Sequence, residues 1–214
     1  MPFGADGVVA HRDRPTLALD LDGVVVRPPL GWNVAISRRL DTPPLPEPVP
    51  TLGLERRWRQ RYWLARSALE VARYGGRQPL PGVREALARL ATVRRLVVVS
   101  GRRWVVRPLV RRWLARHGLA AFVADVYLND VALPSAQFKL WTLRRLGIGE
   151  HVDDDGATAH YLASHGAVIV YLCEWPRNRG LPYPPGVRPV PSLLALAYRL
   201  QAEAAATGRE TGAR

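Results

Sequence analysis

The sequence has very little cysteine and no long hydrophobic run. Its 214 residues include a single cysteine, Cys173, which excludes an intramolecular disulfide and a cysteine-rich metal site. No apolar run reaches the roughly 18 residues that a membrane span requires. The first fourteen residues also lack the apolar stretch of a secretory signal peptide. We therefore expect a cytoplasmic protein with no membrane partner.

Lysine is nearly absent, although positive charge is abundant. The formal net charge is +13, and 30 of the 31 basic residues are arginines that occur mostly as singles and pairs. Because no basic stripe with interleaved aromatic residues stands out, this charge favours attraction of small anionic substrates over a nucleic-acid interface, which stays an alternative. The only lysine is Lys139. A compact ammonium group and a guanidinium are not interchangeable in a tight site, so this position is a candidate for chemistry.

Apolar segments of strand length alternate with segments of helical periodicity. The strand candidates are 16–19, 96–99, 121–128, 148–152 and 167–172. The helix candidates are 81–90, 104–117, 136–146, 156–164 and 191–205. This alternation predicts an α/β fold with a Rossmann-like, doubly wound parallel sheet.

A segment without this alternation, 27–80, follows the first strand. It begins with a proline-rich stretch, and apolar residues then recur at helical spacing over 54–72 before Gly75-Gly76. We predict a small helical cap at 27–80, a core of 15–26 and 81–206, and flexible ends at 1–14 and 207–214. Trp58 and Tyr62 are candidates for substrate selection because arginines flank them, but both lie on the apolar stripe, which favours packing against the core.

Polar residues follow three of the predicted strands. They are Asp20 and Asp22, then Ser100, then Asp153 and Asp154. The carboxyl ends of parallel strands meet at one edge of a sheet, so these side chains are expected to converge. One aspartate can attack phosphorus while the other moves protons. Crowded carboxylates favour Mg²⁺ as a cofactor, and a hydroxyl and the Lys139 ammonium can hold phosphoryl oxygens.

The same residues resemble the four motifs of the haloacid dehalogenase (HAD) superfamily. Residues 17–25 (LALDLDGVV) resemble the first motif and 97–101 (VVVSG) the second, Lys139 stands where the third falls, and 152–154 (VDD) resemble the fourth. The resemblance implies the HAD fold and hydrolysis of phosphomonoesters through an aspartyl phosphate. It makes Asp20 the nucleophile and Asp22 the general acid/base, with phosphate bound by Ser100, Gly101 and Lys139.

The resemblance also implies the metal ligands: Asp20, the backbone carbonyl of Asp22, and an acidic residue of the fourth motif. The segment before that motif, 147–152, is more polar than a central parallel strand should be. Its register is therefore open, with Asp154 favoured as the ligand, Asp153 beside it, and Asp155 less favoured. His151 is interpreted as a structural residue. Aspartate at position 22 favours phosphoryl transfer over dehalogenation.

Two features bear on the substrate. Residues 171–179 (YLCEWPRNR) are similar to the strand and loop that follow the fourth motif in the 5'(3')-deoxyribonucleotidase branch of HAD proteins. Trp-Pro stands here in place of the more usual Pro-Trp. This similarity implies nucleoside monophosphates as substrates. Arg102 is equally suited to contacting a substrate anion and to lying exposed in solvent.

Two alternative functions are a phosphatase acting on nucleic-acid ends and a non-catalytic HAD-like binding protein. The oligomeric state is not indicated.

Overall fold

A computed structural model describes residues 14–28, 40, 76–131 and 133–212. Within these ranges the chain forms a six-stranded sheet in the order β3-β2-β1-β4-β5-β6, with every neighbouring pair parallel. The strands are β1 (Thr16–Leu19), β2 (Arg95–Arg103), β3 (Asp125–Asn129), β4 (Glu150–Asp153), β5 (Ile169–Cys173) and β6 (Val187–Val190). The helices are α1 (Val83–Val93), α2 (Arg107–Arg116), α3 (Ser135–Leu146), α4 (Gly156–Gly166) and α5 (Leu193–Gly212). The predicted doubly wound α/β fold is confirmed.

Helices cover both faces of the sheet, which explains its continuous apolar runs. Successive side chains of a strand point to opposite faces. In β2, Leu96 and Val98 accordingly pack in the layer with α1, α2 and α5, whereas Val97 and Val99 pack in the layer with α3 and α4. None of the helices in the described part of the chain has both the length and the apolar character needed for a membrane span.

The structure corrects several predicted boundaries. The strand predicted at 121–128 is a short 3₁₀ turn, Ala120–Phe122, followed by β3. The last helix continues to Gly212, seven residues beyond its predicted end at 205. Strand β6 was missed because Pro189 interrupts its apolar pattern. Proline is tolerated there because β6 lies at the edge of the sheet.

Strand β4 lies at the centre of the sheet despite its polar residues. It begins at Glu150 and not at the predicted 148. The Glu150 carboxylate accepts hydrogen bonds from Arg94 Nε at 2.6 Å and from the Tyr171 hydroxyl at 3.0 Å. His151 is fully buried and contacts Asp153 through Nε2 at 2.8 Å. A central strand accommodates these residues because each has a polar partner.

The two ends of the predicted cap segment run side by side next to β1. The Arg27 backbone N–H donates to the Gln78 carbonyl at 2.9 Å, and the Leu80 N–H donates to the Val25 carbonyl at 3.0 Å. The chain therefore leaves the core and returns to it at adjacent points. The helix predicted at 54–72, with Trp58 and Tyr62, lies outside the described residues, so the cap and the domain limits stay predictions.

The strand order places a crevice beside β1. The chain proceeds outward from β1 through β2 to β3, and then crosses back to place β4 on the other side of β1. In open parallel sheets such a reversal leaves a crevice at the carboxyl ends of the two strands on either side of it. Asp20 and Asp22 follow β1, and Asp154 follows β4.

Candidate active site

A tight turn after β1 positions the two first-motif aspartates. Leu21 and Val24 to Val26 are buried, and the N–H groups of Val25 and Val26 both donate to the Leu21 carbonyl. Gly23 has φ 68°, a left-handed conformation that favours glycine. The Asp20 N–H donates to the Val152 carbonyl at 2.9 Å, which fixes Asp20 against β4. Asp20 is buried, whereas the Asp22 side chain is 35% exposed.

Lys139 extends from α3 into the centre of this site. Its Nζ lies 2.7 Å from Asp153 Oδ2 and 3.2 Å from Asp20 Oδ2. Burial alone would lower the pKa of this ammonium group, but the Asp153 and Asp20 carboxylates outweigh it and raise the pKa. The buried Ser100 hydroxyl lies close enough to the Asp20 carboxyl group to oppose the rise in the Asp20 pKa that burial causes. The structure thus brings Asp20, Ser100, Lys139 and Asp153 together from four separate elements.

Three buried carboxylates crowd the same point. Ligand oxygens of Asp20, Asp153 and Asp154 all lie within 4.8 Å of one another. Burial raises the pKa of Asp20 and that of Asp154, and neighbouring carboxylates raise both further. Among the described residues, the buried Oδ1 of Asp20 has no hydrogen-bond partner. A hard divalent cation fits this donor set because it would satisfy the lone oxygen and offset the carboxylate repulsion.

The three consecutive aspartates of the fourth motif have different surroundings. Asp153 Oδ2 accepts from Lys139 and His151, while its Oδ1 accepts from the N–H groups of Asp154 and Asp155 at 3.0 and 3.1 Å. Burial alone would raise the pKa of Asp153, but Lys139 and His151 together lower it. Asp155 caps α4 by accepting from the Thr158 N–H at 3.0 Å. Asp153 and Asp155 thus accept hydrogen bonds from the protein itself. Asp155 does not belong to the cluster of Asp20, Asp153 and Asp154.

Two arginines bind the Asp22 carboxylate. Arg102 donates from Nε to Oδ2 and from Nη2 to Oδ1, both at 2.7 Å. Arg77 donates from Nη1 to the same Oδ1. Arg102 therefore faces the site, which sequence alone left undecided. Arg77 was missed, since nothing distinguishes it in the sequence from the other arginines near the end of the cap segment.

Asn178 is a second residue that sequence reasoning passed over. Its Nδ2 donates to the Asp154 carbonyl at 2.7 Å and to the Cys173 carbonyl at 2.9 Å, and its Oδ1 accepts from the Trp175 N–H at 2.8 Å. The side chain is almost completely buried. It connects the loop after β5 to the backbone of the fourth motif. Its position within 171–179, the segment similar to the 5'(3')-deoxyribonucleotidase branch, is the sequence signal that could have identified it.

Replacing Asn178 by alanine will destabilise the fold and disturb Asp154. The change leaves two buried carbonyls and one N–H without their partner, and each such group costs about 1–3 kcal/mol. We expect a clear fall in the free energy of unfolding and a higher Mg²⁺ concentration for half-maximal activity. Denaturant unfolding and Mg²⁺ titration measure the two effects. Asn178→Asp is the matched variant. It retains an acceptor for the Trp175 N–H but loses both donors, so it should also raise the Mg²⁺ concentration needed for half-maximal activity. Unchanged Mg²⁺ titration in both variants would contradict this role.

Gly101 is needed because the chain approaches it closely. A Cβ atom at this position would lie 2.2 Å from Ser135 Oγ and 2.6 Å from Ser135 Cβ. Ser135 begins α3, the helix that carries Lys139. We expect Gly101→Ala to displace the start of α3 and to reduce activity by at least about tenfold, since misplacing a catalytic group by about 1 Å can cost 100-fold. Gly149→Ala is the control. Apart from Gly149 and its two chain neighbours, no described residue has an atom within 4 Å of the point that a Cβ atom would occupy there. Equal rates for the two variants would contradict the prediction.

Solved structures similar to this one include several HAD hydrolases. No protein-family model matches the sequence, and no curated protein is significantly similar to it. A HAD-superfamily hydrolase from Geobacter sulfurreducens aligns with a TM-score of 0.55 and 18% identity, covering 87% of this chain and 99% of that one. The D,D-heptose 1.7-bisphosphate phosphatase from B. bronchiseptica, complexed with magnesium and phosphate, gives 0.55 and 18%, covering 88% and 99%. A haloacid dehalogenase-like hydrolase from Streptococcus pneumoniae gives 0.54 and 14%, covering 87% and 98%. The chain therefore has the fold of the haloacid dehalogenase superfamily.

Proposed function

We propose that this protein is a Mg²⁺-dependent phosphomonoester hydrolase that uses Asp20 as its nucleophile. The observation that carries the proposal is the buried convergence of Asp20, Ser100, Lys139 and Asp154 where the strand order reverses. Within the described residues, the buried Oδ1 of Asp20 has no hydrogen-bond partner, which further supports a cation at this position. The similarity in fold to a phosphatase complexed with magnesium and phosphate is consistent with this activity.

The residues divide the chemistry into two steps. The Asp20 carboxylate attacks phosphorus, and the bond to the leaving-group oxygen breaks as the Asp22 carboxyl group protonates that oxygen. Asp22 then takes a proton from the water that attacks the aspartyl phosphate, which releases phosphate and restores Asp20. Ser100, the Gly101 backbone N–H and Lys139 hold the phosphoryl oxygens.

Asp20, Asp154 and the Asp22 backbone carbonyl would hold Mg²⁺. Asp153, although adjacent, orients Lys139 and the backbone of the fourth motif through its four hydrogen bonds. When bound, Mg²⁺ supplies positive charge that offsets the carboxylates and the phosphoryl oxygens. Asp154 is therefore the preferred fourth-motif ligand.

The stabilising effect of Mg²⁺ will increase with pH. The raised pKa of Asp154 means that the folded, metal-free state keeps a proton that the unfolded state has lost. The contribution of Asp154 to the free energy of unfolding therefore falls as pH rises from its pKa in the unfolded state toward its raised pKa in the folded state. Because Mg²⁺ competes with that proton, we expect a larger Mg²⁺-induced rise in Tm at about pH 8 than at about pH 5. Thermal unfolding with and without Mg²⁺ measures it, and Asp154→Asn should remove most of the rise. An equal rise at both pH values would contradict the assignment.

A substrate panel tests the proposed function. It includes nucleoside monophosphates, which the resemblance of 171–179 implies, together with sugar phosphates and an aryl phosphate, each assayed with Mg²⁺ and with a chelator. Phosphate release that requires Mg²⁺ supports the proposal, and the preferred compound identifies the substrate class. Failure to release phosphate from any compound by the folded protein would overturn it. Oligonucleotides with terminal phosphates and direct binding assays would then test the two alternative functions.

A further inference from the structure

Two arginines bind the single carboxylate of Asp22. Arg102 comes from the end of β2 and Arg77 from the returning end of the 27–80 segment, and both guanidinium groups bind the one carboxylate. The Arg77 and Arg102 side chains are only 8% and 13% exposed. In the described part of the chain, the buried Nε of Arg77 has no hydrogen-bond partner. Two guanidinium groups therefore share one carboxylate, and Arg77 keeps an unused donor in the described part of the chain.

This arrangement conflicts with the role proposed for Asp22. Both of its oxygens accept hydrogen bonds from guanidinium groups. A general acid must direct a carboxyl oxygen at the leaving group. At least one guanidinium contact therefore has to be given up in the reactive complex, and another anion could take the place of the Asp22 oxygen that the guanidinium loses.

A second anion on the substrate would resolve the conflict. The planar guanidinium fork matches carboxylate and phosphate oxygens equally well. Such a group would take over donors of Arg77 and Arg102, use the unpartnered Nε, and release an Asp22 oxygen toward the leaving group. The site lies two residues along the chain from Asp20, so the second anion would be a short distance from the phosphoester.

We propose that Arg77 and Arg102 form a binding site for a second anionic group of the substrate, either a carboxylate or another phosphate. The preferred substrates are then phosphomonoesters that carry this group close to the phosphoester. This inference rests on the proposed phosphatase function and specifies its substrate class. It also means that substrates without the second anion leave Asp22 bound to both arginines and react slowly.

Matched substrate pairs provide the test. Phosphoglycolate against ethyl phosphate, and 3-phosphoglycerate against glycerol 3-phosphate, isolate the effect of a carboxylate. A nucleoside 3',5'-bisphosphate against the 5'-monophosphate isolates the effect of a second phosphate. For the wild-type protein we expect kcat/KM to be at least about tenfold higher for the doubly anionic member of one type of pair, the effect of about 1.4 kcal/mol. The pair that shows it identifies the anion.

Arginine variants show whether this preference arises at the proposed site. Arg102→Gln should reduce the ratio to near one, and Arg102→Lys should restore only part of it because lysine lacks the guanidinium fork. Arg111→Gln removes the same charge at an exposed position, where Arg111 pairs with Asp125 at 3.3 Å, and should keep the ratio. Arg77→Gln should resemble Arg102→Gln. Thermal unfolding will show whether Arg77→Gln folds, since Arg77 is buried. If it does not fold, the substrate preference of Arg102→Gln is sufficient to test the proposed site.

The outcomes separate this inference from the function on which it rests. Phosphate release without a preference in any wild-type pair would overturn the inference and leave the proposed function intact. A preference that survives in Arg102→Gln would also overturn it. Failure to release phosphate from either member of every pair would overturn the proposed function and the inference with it.

Discussion

Replacing Asp20 by asparagine will reduce phosphate release by more than about 10⁴-fold, the scale seen when a covalent nucleophile is removed. The amide has nearly the same shape as the carboxylate but cannot attack phosphorus as an anion. The fold should persist, because the change removes one of three buried carboxylates that share a single ammonium group. Initial rates at saturating Mg²⁺ and thermal unfolding of the variant measure the two expectations.

Asp155→Asn is the matched control for that substitution. Asp155 caps α4, and asparagine is as good a helix cap as aspartate. Its activity should stay within a few-fold of wild type, which would show that loss of a negative charge near the site does not by itself stop the reaction. If Asp20→Asn keeps more than a tenth of wild-type activity, Asp20 is not the nucleophile.

Replacing Lys139 by methionine will strongly destabilise the protein at neutral pH and eliminate most of its activity. The side chain is buried and its Nζ contacts both Asp20 and Asp153. Methionine fills a similar volume without the charge, so three crowded carboxylates lose their internal cation. Removing one partner of a buried ion pair typically costs about 3–5 kcal/mol.

The pH dependence of that cost identifies its origin. Lys139 helps to lower the pKa of Asp153, and stability from a lowered carboxyl pKa is present above the unfolded-state pKa and lost as pH falls through the folded-state value. The difference in free energy of unfolding between wild type and Lys139→Met should therefore shrink toward low pH, measured by denaturant unfolding without Mg²⁺. A difference that does not change with pH would indicate lost packing and not lost charge compensation.

The sequence was sufficient to predict a parallel sheet and the convergence of polar side chains at its edge, but not its sixth strand or the order of its strands. Apolar runs that end in polar residues predict parallel strands whose carboxyl ends meet, and Asp20, Ser100 and Asp153 meet as expected. The solitary Lys139 was informative because a chain that otherwise uses arginine had kept one ammonium group, and that group lies between two of the carboxylates.

The supporting residues could not be predicted, for physical reasons that differ from case to case. Arg77 becomes important only because the cap segment returns next to β1, which depends on long-range pairing that local pattern does not encode. Asn178 acts by donating hydrogen bonds to backbone carbonyls. An asparagine in this role is not marked by any regular spacing in the sequence. The polar residues of β4 obscured a central strand because their partners, Arg94 and Tyr171, come from distant parts of the chain.

Trapping a phosphoryl group on Asp20 tests the central claim most directly. In Asp22→Asn the second step lacks its base, so the aspartyl phosphate should accumulate when the protein is mixed with Mg²⁺ and an aryl phosphate, whose leaving group needs little protonation. After acid quenching and proteolysis, mass spectrometry should find one added phosphoryl group on the peptide that contains Asp20, and none in the Asp20→Asn/Asp22→Asn double variant. A phosphoryl group on a different residue, or full turnover by the double variant, would contradict the account.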